Sequence, residues 1–404
     1  MEKHWFTLYP NTFLWIKGEN GLIYNALNHL SYAFKMTGSV EKWCNELLRL
    51  ENLYTISVSG EDIMDDQAKQ WFQSVIAIKG GYLSSVAETE KRPVSLKPVL
   101  KLHERIDAFQ WEHSRGTGGE IIRNLHALTF YLNGSEEYGS DTYYHQTVFP
   151  LKSCGQLDVK KIVTFARYCR NPSLKRIHLV GAIFKYPEYQ ALMDGLTELC
   201  LPYTIYITLQ DFIQNFDRIA KTQWPEYNQF RILVDTIPDQ LPPLHGIKVQ
   251  IRVNALVFSE TDCSEVSRKF DDLPIYCDTQ VIPMYNGENR EFFKSNVFTD
   301  RDDLDSVTLT KREIFMRQAL NVHNFGKLTV LPDGTVYANV NHEPLGTMDD
   351  SVYSLVYKEF TEGQSWLQIR DKAPCTDCVY QWLCPSPSNY ETVIGQPNLC
   401  HVNH

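Results

Sequence analysis

The chain lacks the sequence features of several large functional classes. It has no run approaching the roughly 18 apolar residues of a transmembrane helix, and Met1–Pro10 lacks the apolar core of a signal peptide. The motifs GxxxxGK(S/T), GxSxG and HExxH are absent, so nucleotide hydrolysis and the common hydrolase mechanisms have no sequence support. The net charge of −10 argues against a nucleic-acid duplex or an anionic membrane as the main partner. We therefore expect a cytoplasmic protein.

With 404 residues, of which 43% are hydrophobic, the chain is long enough for two or three domains, each with a core. Residues 1–90 change from short β-like runs to helix-like ones. Three strands are predicted, at Phe13–Lys17, Leu22–Ala26 and His29–Lys35, followed by helices after Ser39 and Ser59. This layout predicts a small winged-helix domain.

Residues 98–310 alternate apolar runs with helix-like stretches, which predicts an α/β fold with a parallel sheet. The helices are predicted at Val159–Arg170, Tyr189–Leu199 and Phe212–Ala220. Six repeating units suit a partial TIM barrel, and an open doubly wound sheet is the alternative. The predicted strands are Ala127–Leu132, Arg176–Val180, Thr204–Thr208, Arg231–Asp235, Lys248–Val253 and Thr279–Met284.

Residues 311–404 contain a predicted hairpin, with strands at Lys327–Leu331 and Thr335–Ala338, and then a cysteine cluster. The cluster comprises Cys375, Cys378, Cys384 and Cys400. Two thiolates separated by two residues can bind one metal from a single tight loop, and the later cysteines can complete a shell of four. Sulfur ligands suit Zn²⁺ or an iron–sulfur cluster, and the spacing does not choose between them.

Six other cysteines are scattered along the chain, and we expect them to be buried thiols that act as small apolar residues. They are Cys44, Cys154, Cys169, Cys200, Cys263 and Cys277. His126, His145 and His178 lie near predicted strands without a metal-binding spacing, so we expect them to be structural. Asp235, at the end of a predicted strand, has a position typical of functional barrel residues, although a structural role is more common.

The hairpin and cysteine tail resemble the SPASM extension of radical-SAM peptide maturases, in which a hairpin precedes a Cys-x2-Cys-x5-Cys run that binds auxiliary 4Fe–4S clusters. Asn339 stands where that family has a hairpin cysteine, so the resemblance implies one auxiliary cluster at most. It also implies a barrel whose first strand is followed by a Cys-x3-Cys-x2-Cys loop that binds the SAM cluster. Here the loop at 133–146 has no cysteine, and the glycine-rich motif after the second strand is altered at Val180–Phe184.

Without three soft ligands, a site-differentiated cluster that reduces SAM has no anchor. The overall pattern resembles that of the pseudo-radical-SAM proteins of Bacteroidales systems that modify Gly-Gly-leader ribosomal peptides (RiPPs). The tail carries this resemblance most specifically, through Cys384–Pro385, Ser388–Tyr390 and Asn398–Cys400.

The first segment is similar in layout to RiPP recognition elements, which bind a leader peptide by adding a strand beside their third strand. The resemblance implies that Leu30, Tyr32 and Phe34 border the peptide, with Trp71 and Val75 beneath it. The alternative is a core-forming wing without a ligand.

The leading hypothesis is a catalytically inactive adaptor that binds a precursor leader peptide and presents it to a catalytic radical-SAM maturase. Two alternatives stay open. One is an unconventional enzyme or electron-transfer protein that uses the C-terminal cluster, and the other is a zinc-stabilised scaffold.

Overall fold

A computed structural model of the chain provides the structure. It describes residues 3–89, 91–100, 113, 119–135, 137, 138, 142–152, 155–225, 227–238, 247, 249–270 and 277–402, and of residue 277 only the backbone. In these ranges no helix combines the length and the apolar character needed to cross a membrane.

The N-terminal segment contains two antiparallel sheets of three strands each, with strand orders β2-β3-β4 and β5-β1-β6. The first sheet contains the three strands that the sequence predicts, and the second was not predicted. The strands are β1 (Lys3–Leu8), β2 (Thr12–Lys17), β3 (Asn20–Asn25), β4 (Leu30–Lys35), β5 (Thr55–Ser59) and β6 (Gly81–Ser85).

Three helices pack with these sheets around a buried cluster that includes Trp43, Trp71 and Val75. Helix α1 (Gly38–Leu48) begins after Thr37, so the prediction of Ser39 as its N-cap was wrong. The second predicted helix is two helices, because Ser59 caps α2 (Gly60–Met64) and Asp65 caps α3 (Asp66–Ala77). A side-chain oxygen at each cap accepts a backbone N–H of the helix that follows.

The large sheet has nine strands in the order β12-β11-β10-β9-β8-β7-β13-β14-β15, and the pairs from β12 to β13 are all parallel. The predicted α/β class with a parallel sheet is confirmed. Strands β7 to β12 follow one another without reversal, as in a barrel wall, whereas a doubly wound sheet reverses near its middle. These strands are β7 (Ala127–Tyr131), β8 (Arg176–Val180), β9 (Tyr203–Thr208), β10 (Gln229–Val234), β11 (Gln250–Val257) and β12 (Cys277–Pro283).

Helices cover one face of this sheet and bury its largest apolar cluster. The predicted helix at 212–220 is two short helices that meet at Asn215, because Thr208 caps the first of them and Asn215 ends it. The helices are α4 (Val159–Cys169), α5 (Tyr189–Glu198), α6 (Leu209–Gln214), α7 (Phe216–Lys221) and α8 (Glu260–Phe270).

The predicted hairpin extends the large sheet instead of standing apart from it. Strand β13 (Lys327–Val330) pairs in parallel with β7, and β14 (Thr335–Tyr337) and β15 (Gly346–Thr347) continue antiparallel. The remaining helices are α9 (Arg290–Asn296), α10 (Arg301–Asp305), α11 (Lys311–Ala319), α12 (Val352–Thr361) and α13 (Asn389–Ile394).

The C-terminal tail packs on the N-terminal β2-β3-β4 sheet. One buried cluster joins Phe13, Leu22 and Tyr24 of that sheet to Ile314 of α11 and Leu383 of the tail. The hydroxyl of Tyr24 accepts the Leu309 N–H at 2.7 Å and donates to the Leu309 carbonyl at 2.9 Å. The two ends of the chain therefore share a core.

The scattered cysteines are not all buried. Cys44 and Cys169 are buried thiols, as expected, whereas Cys200 is exposed and Cys263 is half-buried. Cys200 follows α5 in a turn with positive φ, which directs it to the surface. Cys154 lies outside the described residues, as does the side chain of Cys277.

Candidate functional site

The four tail cysteines line one small cavity. Cys375 begins a 3-10 turn at Cys375–Asp377, and the N–H of Cys378 closes that turn on the Cys375 carbonyl at 3.1 Å. Cys384 follows in a second turn, where its N–H donates to the Tyr380 carbonyl. Cys400 reaches the same cavity through a bridge to Thr299, whose carbonyl accepts the His401 N–H at 2.9 Å. The structure thus brings together the cysteines that the sequence predicts as ligands.

Hydrogen-bond donors surround the sulfur atoms. The Val402 N–H donates to Cys400 Sγ at 3.2 Å, and the Tyr380 N–H donates to Cys378 Sγ. Arg370 Nη1 lies 3.9 Å from Cys375 Sγ. Such donors stabilise negative charge on sulfur, the form in which cysteine binds a metal.

Arg370 is held by a buried ion pair beside the cavity. Its Nη2 lies 2.6 Å from Glu391 Oε1, and both side chains are about 8% exposed. Its Nε donates to the Pro385 carbonyl, and the Gln381 amide donates to the Arg370 carbonyl. The other amide atom of Gln381, Oε1, is buried beside the cavity without a hydrogen-bond partner among the described residues.

The free thiols favour their neutral form. Burial raises the pKa of Cys384 to about 12, against a smaller lowering by Arg370. Burial also raises the pKa of Cys378 and of Cys400, and the neighbouring thiols add to both increases. A bound cation would have to displace these protons, as metals do at thiolate sites.

Within the described ranges, no group of three or more His, Cys, Asp or Glu side chains has the arrangement of a formed metal site. The four thiols nevertheless share one cavity, and backbone amides already point at two of the sulfurs. The donor set therefore fits a thiolate-bound metal centre, although the side chains are not in a coordination geometry.

Strand β4 is an edge strand of its sheet. It pairs only with β3 among the described residues. The Met36 N–H donates to the Glu19 carbonyl, which sets the alternation of hydrogen bonds along this pair. Tyr32 and Phe34 therefore direct their backbone groups to β3, whereas Ala33 directs its N–H and carbonyl to the open edge, together with Ser31 and Lys35 on either side.

A groove of about 790 Å³ lies beside this edge and reaches the cysteine loop. Ala33, Phe34 and Lys35 line one side, and Arg301 and Cys378 lie among the residues of the other. Cys378 also lines the four-cysteine cavity. The groove and the cavity are therefore adjacent, which the sequence did not predict.

The five residues that the resemblance assigns to a peptide lie at or under this edge. Leu30 is 48% exposed at the start of β4, and Tyr32 and Phe34 stack on each other with ring centroids 5.5 Å apart. Phe34 meets the ring of Trp71 edge-on at 5.8 Å, and Val75 is buried in the same cluster. The indole N–H of Trp71 is buried without a partner in the part of the chain that the structure describes.

Aromatic and aliphatic side chains fill the mouth of the large sheet, where the carboxyl ends of its strands meet. Tyr131, Val180 and Leu233, from three strand ends, share one buried cluster with Phe149 and Met284. Further rings pack on this cluster from the segment after β7, and Tyr143 lies 5.2 Å from Phe149. We call this cluster the mouth plug.

Two contacts fix the segment that contributes to the mouth plug. The Tyr138 hydroxyl donates to Asp211 Oδ2 at 2.8 Å, and Lys185 Nζ lies 3.1 Å from Glu137 Oε2. Gly181 has a φ of 127°, and a Cβ there would lie 2.4 Å from Asn133 Oδ1. The altered glycine motif therefore still permits a close approach between the first two βα loops.

The remaining candidates do not form a common site. His145 Nδ1 contacts Asn341 Oδ1 at 2.9 Å, whereas the His126 ring lies 5.8 Å from that of Phe325 and His178 lies on a strand of the large sheet. Asn339, which stands where the resembling family has a hairpin cysteine, donates its amide to Asn389 Oδ1 at 2.8 Å.

No protein-family model and no curated protein matches the chain. The structure is similar to crystal structures of Streptococcus suis SuiB. The structure with bound precursor peptide SuiA has 10% identity and a TM-score of 0.45, over 100% of this chain and 99% of that one. SuiB alone and SuiB bound to S-adenosylmethionine each give 10% identity and a TM-score of 0.44, over 98% of this chain and 100% and 99% of theirs. Likeness at this level carries no conclusion about chemistry.

Proposed function

We propose that the chain is an adaptor in ribosomal peptide maturation. In this proposal it binds a precursor leader peptide as an added strand along β4 and presents it to a catalytic radical-SAM maturase. Residues 1–90 act as a winged-helix recognition element, residues 98–310 as a degenerate radical-SAM-like barrel, and residues 311–404 as a SPASM-like domain. The open edge of β4 beside the groove is the observation that carries the proposal.

Backbone geometry supports strand addition at this edge. An incoming strand would pair with the outward N–H and carbonyl groups of β4, whose central residue is Ala33. On the side of α3, Leu30 and the stacked rings of Tyr32 and Phe34 offer an apolar surface for alternate peptide side chains. Trp71 and Val75 support that surface from below.

The mouth plug supports a role without SAM cleavage. In the barrel that the chain resembles, a cluster and SAM occupy the mouth, which here is filled by buried side chains of the chain itself. Removing that plug would expose several large rings to water, which is costly. We therefore propose a barrel that serves as a scaffold.

The four tail cysteines would hold an auxiliary-type 4Fe–4S cluster, with Zn²⁺ as the alternative. Such a centre would cross-link the loops of the tail or transfer electrons. Arg370 and the two amide donors would stabilise the negative charge on its thiolate ligands. Anaerobic purification with iron, sulfide and zinc analysis distinguishes the two metals. Loss of that metal in Cys378→Ser, with retention in the outlying Cys200→Ser, would support the site, whereas equal metal content in both variants would contradict it.

The adaptor role is tested with fluorescein-labelled peptides that correspond to the short open reading frames flanking the gene, titrated against the full chain. Ala33→Pro removes the outward N–H at an edge position that tolerates proline, and we expect it to weaken binding roughly tenfold or more. Ala33→Ser keeps the N–H and should bind normally. Hydrogen exchange gives a second measurement, because bound peptide should protect the Ser31, Ala33 and Lys35 amides.

Equal affinities of the two Ala33 variants, without protection of β4, would exclude strand addition. Cleavage of SAM by the isolated chain would exclude the inactive scaffold.

A further inference from the structure

A polar region lies on the inner face of the large sheet, the face that carries the mouth plug, and closer to the amino ends of the strands. Side chains alternate along a strand, so Arg176 and His178 share a face of β8 with Val180 of the mouth plug. The register pairs Val180 with Tyr206 and Tyr206 with Arg231, which places Arg231 of β10 on the same inner face. Basic side chains from β8 and β10, the strands on either side of β9, therefore lie on the same face of the sheet.

The positive charge of this region is only partly balanced. Arg252, the register partner of Arg231, forms an ion pair with Asp278, with Nη2 and Oδ2 at 2.6 Å. Arg176 donates to the Thr204 hydroxyl at 3.0 Å, and no carboxylate of the described residues pairs with Arg176 or Arg231. Among the described residues, the two guanidinium groups of Arg176 and Arg231 therefore have no carboxylate partner on this face.

Two nitrogen atoms of the same region lack a partner. His178 Nδ1 and Arg231 Nε are buried and make no hydrogen bond within the described part of the chain. Both side chains flank one ring, because the His178 centroid lies 5.4 Å from that of Tyr206 and the Arg231 Cζ lies 5.5 Å from it. Buried polar nitrogens without a hydrogen-bond partner are rare in native proteins, and a ligand can explain them.

The electrostatics of His178 agree with an unfilled positive site. The pKa of His178 is lowered to about 3. Burial is the largest cause, and the positive charges of Arg231, Lys327 and Arg176 contribute the rest. An anion beside these groups would reverse those charge effects.

We propose that the inner face of the large sheet, between Arg176, Arg231 and His178, binds the oxyanion group of a small molecule, either a carboxylate or a phosphate. Guanidinium groups bind both through paired N–H donors, and the imidazole can donate a third hydrogen bond. This site is separate from the β4 groove and does not depend on peptide binding.

The test uses the full chain with its histidines labelled with ¹³C at Cε1. Inorganic phosphate and acetate are titrated separately at constant ionic strength, with chloride as the matched salt, and the His178 signal is assigned through His178→Gln. We expect a saturable shift of the His178 signal with phosphate, with acetate, or with both, and the effective probe identifies the class of oxyanion. Phosphate or acetate should also raise the melting temperature.

Arg231→Gln should weaken the binding about tenfold or more, because it removes a charge-assisted donor. Arg231→Lys keeps the charge without the paired donors, so its effect on binding should be intermediate. It replaces Arg231→Gln in the test if the glutamine variant does not fold. Arg218→Gln, on an outer helix, removes the same charge and should bind normally. A response equal to that of chloride, or one that Arg231 and Arg218 variants share, would overturn the proposal.

Discussion

Replacement of His178 should remove an acid-sensitive contribution to stability. Its pKa is about 3 in the folded chain, chiefly because of burial, against 6.5 for a free imidazole. Between these values the unfolded chain binds the proton and the folded chain does not, so the free energy of unfolding falls as the pH falls below about 6.5. At or above neutral pH both states are uncharged at this position and the effect is absent.

The size of the effect follows from the gap between the two pKa values. One pH unit within the window corresponds to about 1.4 kcal/mol, so lowering the pH from 7 to 5 should cost the folded state about 2 kcal/mol through His178 alone. His178→Gln cannot take up a proton. It should therefore lose this part of the pH dependence of the free energy of unfolding. His401→Gln, at the exposed tail, should retain it.

Urea unfolding of the three proteins between pH 7.5 and pH 5 measures the slopes, and the histidine ¹³C signals measure protonation directly. We expect the His178 signal to stay at its neutral position throughout this range without added anions. A signal that titrates near 6.5, or stability curves of wild type and His178→Gln that run parallel, would refute the reasoning.

Three further substitutions test individual buried contacts. Arg370→Gln should lower the free energy of unfolding by about 3 kcal/mol because Glu391 is left buried without its partner, and the double variant with Glu391→Gln should lose less than the sum in urea unfolding. Tyr24→Phe should cost about 1–3 kcal/mol, since the buried Leu309 N–H loses its acceptor, and the urea midpoint measures this. Gly181→Ala should cost about 1–3 kcal/mol through strain at positive φ, measured as a lower melting temperature, and an unchanged melting temperature would contradict the close approach to Asn133.

Strong local patterns predicted much of the fold. The apolar run at Arg176–Val180 matches strand β8 at both ends, and the helix predicted at Val159–Arg170 differs from α4 by one residue. Pairing between distant segments was not predictable in this way. Strand β5 is short and β1 lies at the chain start, so neither showed a periodicity that distinguished it, and the partner of β13 depends on closure of the whole sheet.

For the candidate sites too, local features were predictable from the sequence, whereas contacts between distant segments were not. The cysteine pattern predicted all four candidate ligands, whereas the bridge to Thr299 that brings Cys400 to the other three was not predictable from spacing. The polar inner face had a visible signal, since Arg231 and Arg252 interrupt the apolar patterns of their strands and His178 interrupts that of β8. Their shared face becomes apparent only once the register of the parallel strands is known.

The interior of the large sheet combines two layers with opposite energetics. The mouth plug buries large apolar side chains, which stabilises the fold without any ligand. The layer beneath it buries nitrogens of His178 and Arg231 that have no hydrogen-bond partner among the described residues, which lowers stability unless a ligand supplies one. Apolar residues of similar size would fill this layer at a lower cost in free energy if it served packing alone. The two nitrogens without a partner among the described residues therefore support the proposal that the inner face binds a small anion while side chains fill the mouth.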